Sequence, residues 1–331
     1  MFNLKSTSRI WAPAGLLLML GCWSQPPAAS SDIDLEPLEL EAKEALFGQL
    51  LDDLVQQNGS SMYNMTIVNK YAQAIEATLG SLKGTSVLEI GPGRNLAVGV
   101  TLVVRGARRY SAVDIYQDPA LFEPMAYLNM HRLAQEVTGW SYNVSRFDDM
   151  VRIEDGQVHL DPERIEWLYP HESYSFPTPD DSIDFVFSHS GFEHFNEPRK
   201  TIDRILKALR PGGVTAHSID LRDHDDFSKP YAFLAFSEEE WRARFKPENL
   251  HNYTNRWRAV DFRQAFEDAG FEILEDYRQE EAQVTEALKQ TFHSDFHKYP
   301  LKDLSETYLW IVARKPDTEA LAQGSESTPN G

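Results

Sequence analysis

Apolar residues recur every three or four positions through residues 38–56, where Leu46, Leu50, Leu51 and Leu54 share one face, and predict a helix. Asn58-Gly59-Ser60-Ser61 interrupts that stripe, so a break is expected there, with a second helix over 66–79 stopped by Gly80. From residue 85 the pattern changes to short apolar runs alternating with amphipathic stretches, the signature of a parallel sheet with crossover helices. Val87-Leu88-Glu89-Ile90 reads as a buried strand, followed by Gly91-Pro92-Gly93 and an almost wholly apolar helix over 95–104. Further strands are predicted at 109–114, 183–188, 214–219, from Phe271 onward, and at 308–313. The stretch 115–174 is less regular and contains one helix, near 124–137. The helix after the 183–188 strand is expected to start at Asn196 as N-cap with Pro198 in its first turn. It buries Ile202, Ile205, Leu206 and Leu209, and Pro211-Gly212-Gly213 ends it. The last helix carries Phe262, Ala265, Phe266 and Ala269 and stops at Gly270.

Composition narrows the function. The 331 residues allow one large domain or two modest ones. Lys and Arg total 32 against 51 Asp and Glu, a net charge of -19, and no run of basic residues forms a local patch. Such a field repels phosphate backbones, so no nucleic-acid partner is expected. Cys22 is the single cysteine, which excludes an internal disulfide and a thiolate zinc cluster. Lys5 and Arg9 precede an 11-residue apolar run at 10–20, whereas a membrane-spanning helix needs roughly 20 residues. With Met19-Leu20-Gly21-Cys22 the segment resembles a bacterial lipoprotein signal, although Met19 stands where that pattern prefers Leu. The resemblance implies a membrane tether through lipidated Cys22. An ordinary export signal, or a start placed too early on a cytoplasmic chain, are the alternatives. Residues 25–37 read as a tether. The organisation expected is a signal-like segment at 1–22, linker and N-terminal helix at 23–60, a catalytic domain at 61–316 and a disordered acidic tail at 317–331.

The chemistry centres on the strand–Gly91-Pro92-Gly93–helix unit. A glycine turn lets a ligand approach the backbone, and the N–H groups at a helix start favour polar or anionic groups. Asp114 ends the next strand, where a carboxylate can accept hydrogen bonds from both hydroxyls of a ribose. On these facts the ligand is NAD or another adenosine compound, or the turn is simply a tight one with no ligand. Leu96 replaces the third glycine of the dinucleotide fingerprint, which counts against a nicotinamide oxidoreductase.

Val87-Leu88-Glu89-Ile90-Gly91-Pro92-Gly93 resembles motif I of the class I S-adenosyl-L-methionine-dependent methyltransferases. The resemblance continues in order through Phe176–Asp184, the Ser188–Phe195 loop with its Glu-His pair, and Leu209-Arg210-Pro211-Gly212-Gly213. It covers about residues 61–316 and implies a Rossmann-like, doubly wound α/β sheet of about seven strands, the last antiparallel, with N-terminal helices. It also implies S-adenosyl-L-methionine as cofactor. Carried over by position, Glu89 orients the amino-acid end of the cofactor, Gly91 and Gly93 let it pass, Asp114 holds the ribose and Ile115 packs near the adenine. Glu172 falls where many relatives have an adenine-side Asp, and Ser188 and His189 would lie near the transferable methyl. Arg94 and Asn95 depart from the pattern, which often has a glycine at the second position.

Methyl transfer is an in-line displacement, and a base helps only where the acceptor must lose a proton. Among His189, His194, His217 and His224, the candidates for that base are His189 and His224, at the carboxyl ends of their strands. His194 reads as a residue packing near a helix start and His217 as a buried strand residue. The run His217–Asp226 also invites a metal reading, but spacing on an unknown loop establishes no site, and an acidic rim with an Arg222 ion pair is the plainer one. Tyr231, Phe233, Phe236 and Trp241 read either as a lid over the acceptor or as core. The function expected is methyl transfer to an oxygen or nitrogen of a small or envelope-related molecule. The alternative is a tethered, non-catalytic binding protein, because the export-like signal would remove the domain from a cytoplasmic methyl donor.

Overall fold

The computed structural model describes residues 40–137, 140–245, 253–281 and 283–317. The signal-like segment with Cys22, the 25–37 tether and all but the first residue of the acidic tail therefore lie outside the described residues. The chain divides into two units, 1–51 and 52–331, and the second holds the sheet. Among the described residues no helix is long and apolar enough to cross a membrane.

The described residues begin with α1 (Leu40–Leu79), one continuous helix. The break expected at Asn58-Gly59-Ser60-Ser61 is absent. Glycine and asparagine cost only about 1 kcal/mol or less inside a helix, and the following turns bury Ser61, Met65, Val68, Tyr71, Ala72 and Ile75. Packing outweighs propensity here. Then come β1 (Ser86–Ile90), α2 (Ala97–Arg105), β2 (Arg109–Val113), α3 (Pro124–Glu136) and α4 (Val144–Met150). A small hairpin, β3 (Val151–Glu154) with β4 (Gln157–Leu160), precedes β5 (Ile165–Leu168) and β6 (Ile183–His189). The remainder is α5 (Pro198–Ala208), β7 (Leu209–Asp220), α6 (Glu238–Arg242), α7 (Ala259–Asp268), β8 (Glu272–Glu280), α8 (Glu286–Lys289), α9 (Leu301–Ser305) and β9 (Glu306–Arg314).

Seven strands form one sheet in the order β5-β2-β1-β6-β7-β9-β8. β1 runs parallel to β2 and β6, β2 to β5, and β6 to β7, while β9 is antiparallel to both β7 and β8. This is the doubly wound class I methyltransferase sheet expected from the sequence, with the last strand inserted antiparallel. Alternate residues feed two cores, as the two-residue period of a strand requires. Val87, Phe185 and Phe187 pack with α1, α2 and α3, whereas Leu88, Val186 and Ile311 pack with α5 and α7.

Three local readings change. β5 pairs with β2 over Tyr110–Val113 and forms the sheet edge, although its partly exposed residues show no apolar run. Glu197, not Asn196, is the N-cap of α5, and no side chain caps it. Pro211-Gly212-Gly213 lies inside β7, where the register jumps from Ile183↔Leu209 to Phe185↔Val214, so the segment bulges between paired residues rather than merely ending a helix.

One helix position is decided by close approach. A Cβ built on Gly99 would sit 2.2 Å from the ring of Tyr110. That ring is fully buried, and its hydroxyl donates to Glu89. In an exposed helix Gly→Ala stabilises by about 1 kcal/mol. Gly99→Ala is expected instead to destabilise by about 1–3 kcal/mol, as overpacked cores do. Denaturant unfolding reads the sign directly, and a stabilised variant would overturn it.

Candidate functional site

The carboxyl end of β1 turns through Gly91 (φ +76°) and Gly93 (φ +72°), both in the left-handed region that glycine adopts without strain. The Gly91 N–H donates to the Val113 carbonyl at 2.9 Å and ties the turn to β2. Nothing lies within 4 Å of a Cβ built on Gly93, so the turn has open space beside it. That space belongs to a cavity of about 540 Å³, lined by Glu89, Gly91 and Gly93 together with His189, Tyr63 and Asn64. The departures from the motif are accommodated locally. Arg94 is exposed beside Asp118, and the Asn95 side chain accepts the Ala97 N–H at 3.1 Å at the start of α2.

Glu89 is buried on β1 and accepts a hydrogen bond from the Tyr110 hydroxyl. Burial pushes its carboxyl up to about 8, with the Tyr110 bond opposing and the Asp114 charge adding to the rise. Asp114 follows β2 and accepts the Tyr116 N–H at 2.9 Å. Burial raises it, and the backbone amides of Tyr116 and Ile115 counteract this. Ile115 and Tyr116 are exposed beside it, at 40% and 43%. Glu172 comes to the same edge, because the His171 N–H donates to the Asp114 carbonyl at 3.0 Å. Its carboxyl is raised by burial, and its charge raises the phenol of Tyr116. The irregular 115–174 stretch thus returns beside the second strand.

Ser188 is placed differently from its expected position. It is fully buried, its hydroxyl pairs with His217 Nδ1 at 2.8 Å, and His217 Nε2 reaches the Thr215 hydroxyl at 2.6 Å. A side chain closed into this polar chain does not line the cavity. Burial holds His217 at about 3, so it stays neutral, as its strand position suggested.

His189 does face the cavity. Burial, and then the charge of Lys70, lowers its imidazole to about 4. The Tyr71 hydroxyl donates to the Ser188 carbonyl at 2.7 Å and lies 3.3 Å from His189 Nδ1. With the phenol proton so used, Nδ1–H is the donor to the phenol oxygen, and Nε2 carries the lone pair. His224, the other candidate base, is not a cavity residue. Its ring packs against His194 at 5.0 Å, and Nε2 lies 3.8 Å from Asp220 Oδ2.

α1, expected as helix but given no role in the site, also reaches it. This helix brings Tyr63, Asn64, Lys70 and Tyr71 to the site. Lys70 Nζ donates to Tyr308 and, at 3.4 Å, to Ser218, and lies 4.2 Å from the Trp310 ring centre. Burial lowers it to about 8. The available signal was the adjacent Lys70-Tyr71 pair on the buried stripe of the helix, since a buried tyrosine hydroxyl needs a partner. The Tyr63 hydroxyl hydrogen-bonds Ser190, and the charges of Glu193 and Asp220 reach it. Tyr231, Phe233 and Trp241 are buried in a third core cluster with Phe236 packed against it, which makes them core and not lid.

No curated protein matches the chain in sequence. Among solved structures it is similar to the 1,6-didemethyltoxoflavin-N1-methyltransferase of Burkholderia thailandensis, at 16% identity over 86% of this chain and 94% of that one, with a TM-score of 0.39. It is also similar to the geranyl diphosphate C-methyltransferase of Streptomyces coelicolor, at 13% identity over 75% of this chain and 79% of that one, with a TM-score of 0.42. Both likenesses are remote. Residues 63–276, more than half of the chain, match the methyltransferase domain family. Together with the sheet order and the glycine turn after β1, this match shows that the chain belongs to that family and is a class I S-adenosyl-L-methionine-dependent methyltransferase.

Proposed function

We propose that the chain transfers a methyl group to an oxygen or nitrogen of a small molecule bound in the cavity between the glycine turn and α1. The observation that carries this reading is that one cavity, of about 540 Å³, is lined by Glu89, the Gly91–Gly93 turn and His189 together. That volume falls in the range of small-molecule sites. The export-like N-terminus motivates the alternative, a membrane-tethered, non-catalytic binding protein that keeps the fold.

The residues present fit the cofactor. Open space beside Gly93 leaves room along the backbone, and a buried carboxylate at Glu89 suits a cationic amino group, whose charge would hold it ionised. An ionised Asp114 has about four acceptor sites, so two backbone amides leave capacity for a ribose diol. Ile115 and Tyr116 offer exposed apolar surface for the base, with Glu172 beside them. When bound, S-adenosyl-L-methionine supplies an activated methyl on a sulfonium. The protein aligns the acceptor and excludes water. His189, neutral with Nε2 as its basic nitrogen, accepts the proton that an oxygen or nitrogen acceptor must lose. Tyr71 fixes the tautomer by receiving Nδ1–H.

Calorimetric titration of S-adenosyl-L-methionine into the full chain tests the reading, with micromolar binding expected. With a methylated acceptor in hand, His189→Asn is expected to lower kcat by about 100-fold, within the range of general-base catalysis, while leaving cofactor affinity unchanged. A folded chain that binds no cofactor overturns the proposal, and an unchanged kcat removes His189 as the base.

A further inference from the structure

Beside the cavity lies a group of side chains that the methyl-transfer reading does not use. Glu193 and His194 belong to a 3-10 turn (Phe192–His194) just after β6, and His224 follows β7, the neighbouring strand. One donor atom from each of the three lies within 4.8 Å of the others. Glu193 is only 3% exposed, and its carboxylate has no side-chain hydrogen-bond partner among the described residues, only backbone contacts at its own turn and at Asp220. The buried Nε2 of His224 lacks a hydrogen-bond partner. Buried polar groups are nearly always satisfied, and a carboxylate is the costliest to leave bare. His194 Nδ1 lies 2.8 Å from the Tyr253 carbonyl oxygen. A carbonyl partner on one ring nitrogen is the usual support of a metal-bound imidazole.

We propose that Glu193, His194 and His224 form a binding site for a divalent transition-metal ion of the zinc type. Two imidazoles and one carboxylate suit zinc and its first-row neighbours, whereas magnesium and calcium prefer an all-oxygen shell. Metal–ligand bonds of about 2.0–2.2 Å in a tetrahedral shell put donor atoms roughly 3.3 Å apart. The present spacing, within 4.8 Å, exceeds that by at most about 1.5 Å. Asp220 is left out of the set, because Arg222 engages both of its oxygens, at 2.9 and 2.7 Å. Three protein ligands leave a coordination position for water or for a ligand oxygen. Glu193 and His194 follow the cavity residues His189 and Ser190 within five positions of the chain, so the ion would lie near the cavity. This inference stands apart from the cofactor reading and does not depend on it.

The test uses the full chain, stripped with a chelator and titrated with Zn²⁺ by calorimetry and with Co²⁺ by visible absorption. One equivalent of each is expected to bind, with d–d bands of a low-coordinate nitrogen–oxygen site for Co²⁺ and no competition from millimolar Mg²⁺. Glu193→Gln and His224→Ala are each expected to weaken Zn²⁺ binding by at least ~100-fold, a larger effect than losing a supporting contact to a ligand. His159→Ala, in the separate hairpin, serves as the control and is expected to change nothing. Far-UV circular dichroism checks folding, and if Glu193→Gln fails to fold, the partly exposed His224 decides the matter alone. Absence of saturable Zn²⁺ binding, equal binding of Mg²⁺, or binding indifferent to the His224 substitution would each overturn the proposal.

Discussion

Asp114→Ala is expected to weaken S-adenosyl-L-methionine binding by about 100-fold, equivalent to about 2.7 kcal/mol, without unfolding the protein. Hydrogen bonds to an ionised group contribute about 1.5–3 kcal/mol each, and a ribose offers this carboxylate two hydroxyls. Asp114 stands immediately beyond β2, and its side-chain bonds are local, to the backbone of the next two residues. Sheet pairing does not depend on them. The expected result is therefore a loss of affinity with an unchanged melting temperature. Asp114→Asn, which keeps one acceptor oxygen, should fall between. Calorimetry on the three proteins reads the series, and equal affinities would remove Asp114 from the ribose position.

Arg258→Met is expected to produce the largest loss of stability, about 3–5 kcal/mol, the range for stripping one partner from a buried charged network. Arg258 is fully buried at the start of α7. Its guanidinium donates to the carbonyls of Leu221 at 2.9 Å, of Leu304 at 3.4 Å and of Glu306. One side chain thus joins the end of β7 to the entry of β9, the two strands that pair antiparallel. Methionine fills much of the space but leaves those carbonyls unsatisfied. Urea unfolding followed by far-UV circular dichroism measures the change, and a loss below about 1 kcal/mol would show that water replaces the guanidinium. Arg258→Lys, with one cationic head for several carbonyls, should recover only part of it.

Much of this molecule was legible beforehand, for reasons particular residues make clear. Gly91 and Gly93 announced the turn because positive φ is a backbone demand that few other residues meet. The central strands β1, β6 and β7 are buried on both faces, so their apolar runs stood out. β5 escaped notice because a four-residue edge strand with only Ile165 buried carries no such run. Asn58-Gly59-Ser60-Ser61 misled because local propensity argues for a break, while the turns that follow are held by packing against the sheet. Ser188 and His224 were placed by strand position alone, and strand position does not say which way a side chain turns.

The sequence by itself determined the alternation of central strands and crossover helices and the glycine turn after β1, because periodicity and glycine chemistry act over a few neighbouring residues. The tertiary structure decided what those elements surround. Tyr63 and Asn64 come to the cavity from α1, Tyr71 of the same helix meets His189, Ser188 turns inward to His217, and His224 joins Glu193 and His194. Each of these pairings links strands or helices far apart in the chain. Their proximity follows from the packing of two cores on one sheet, which no local pattern records.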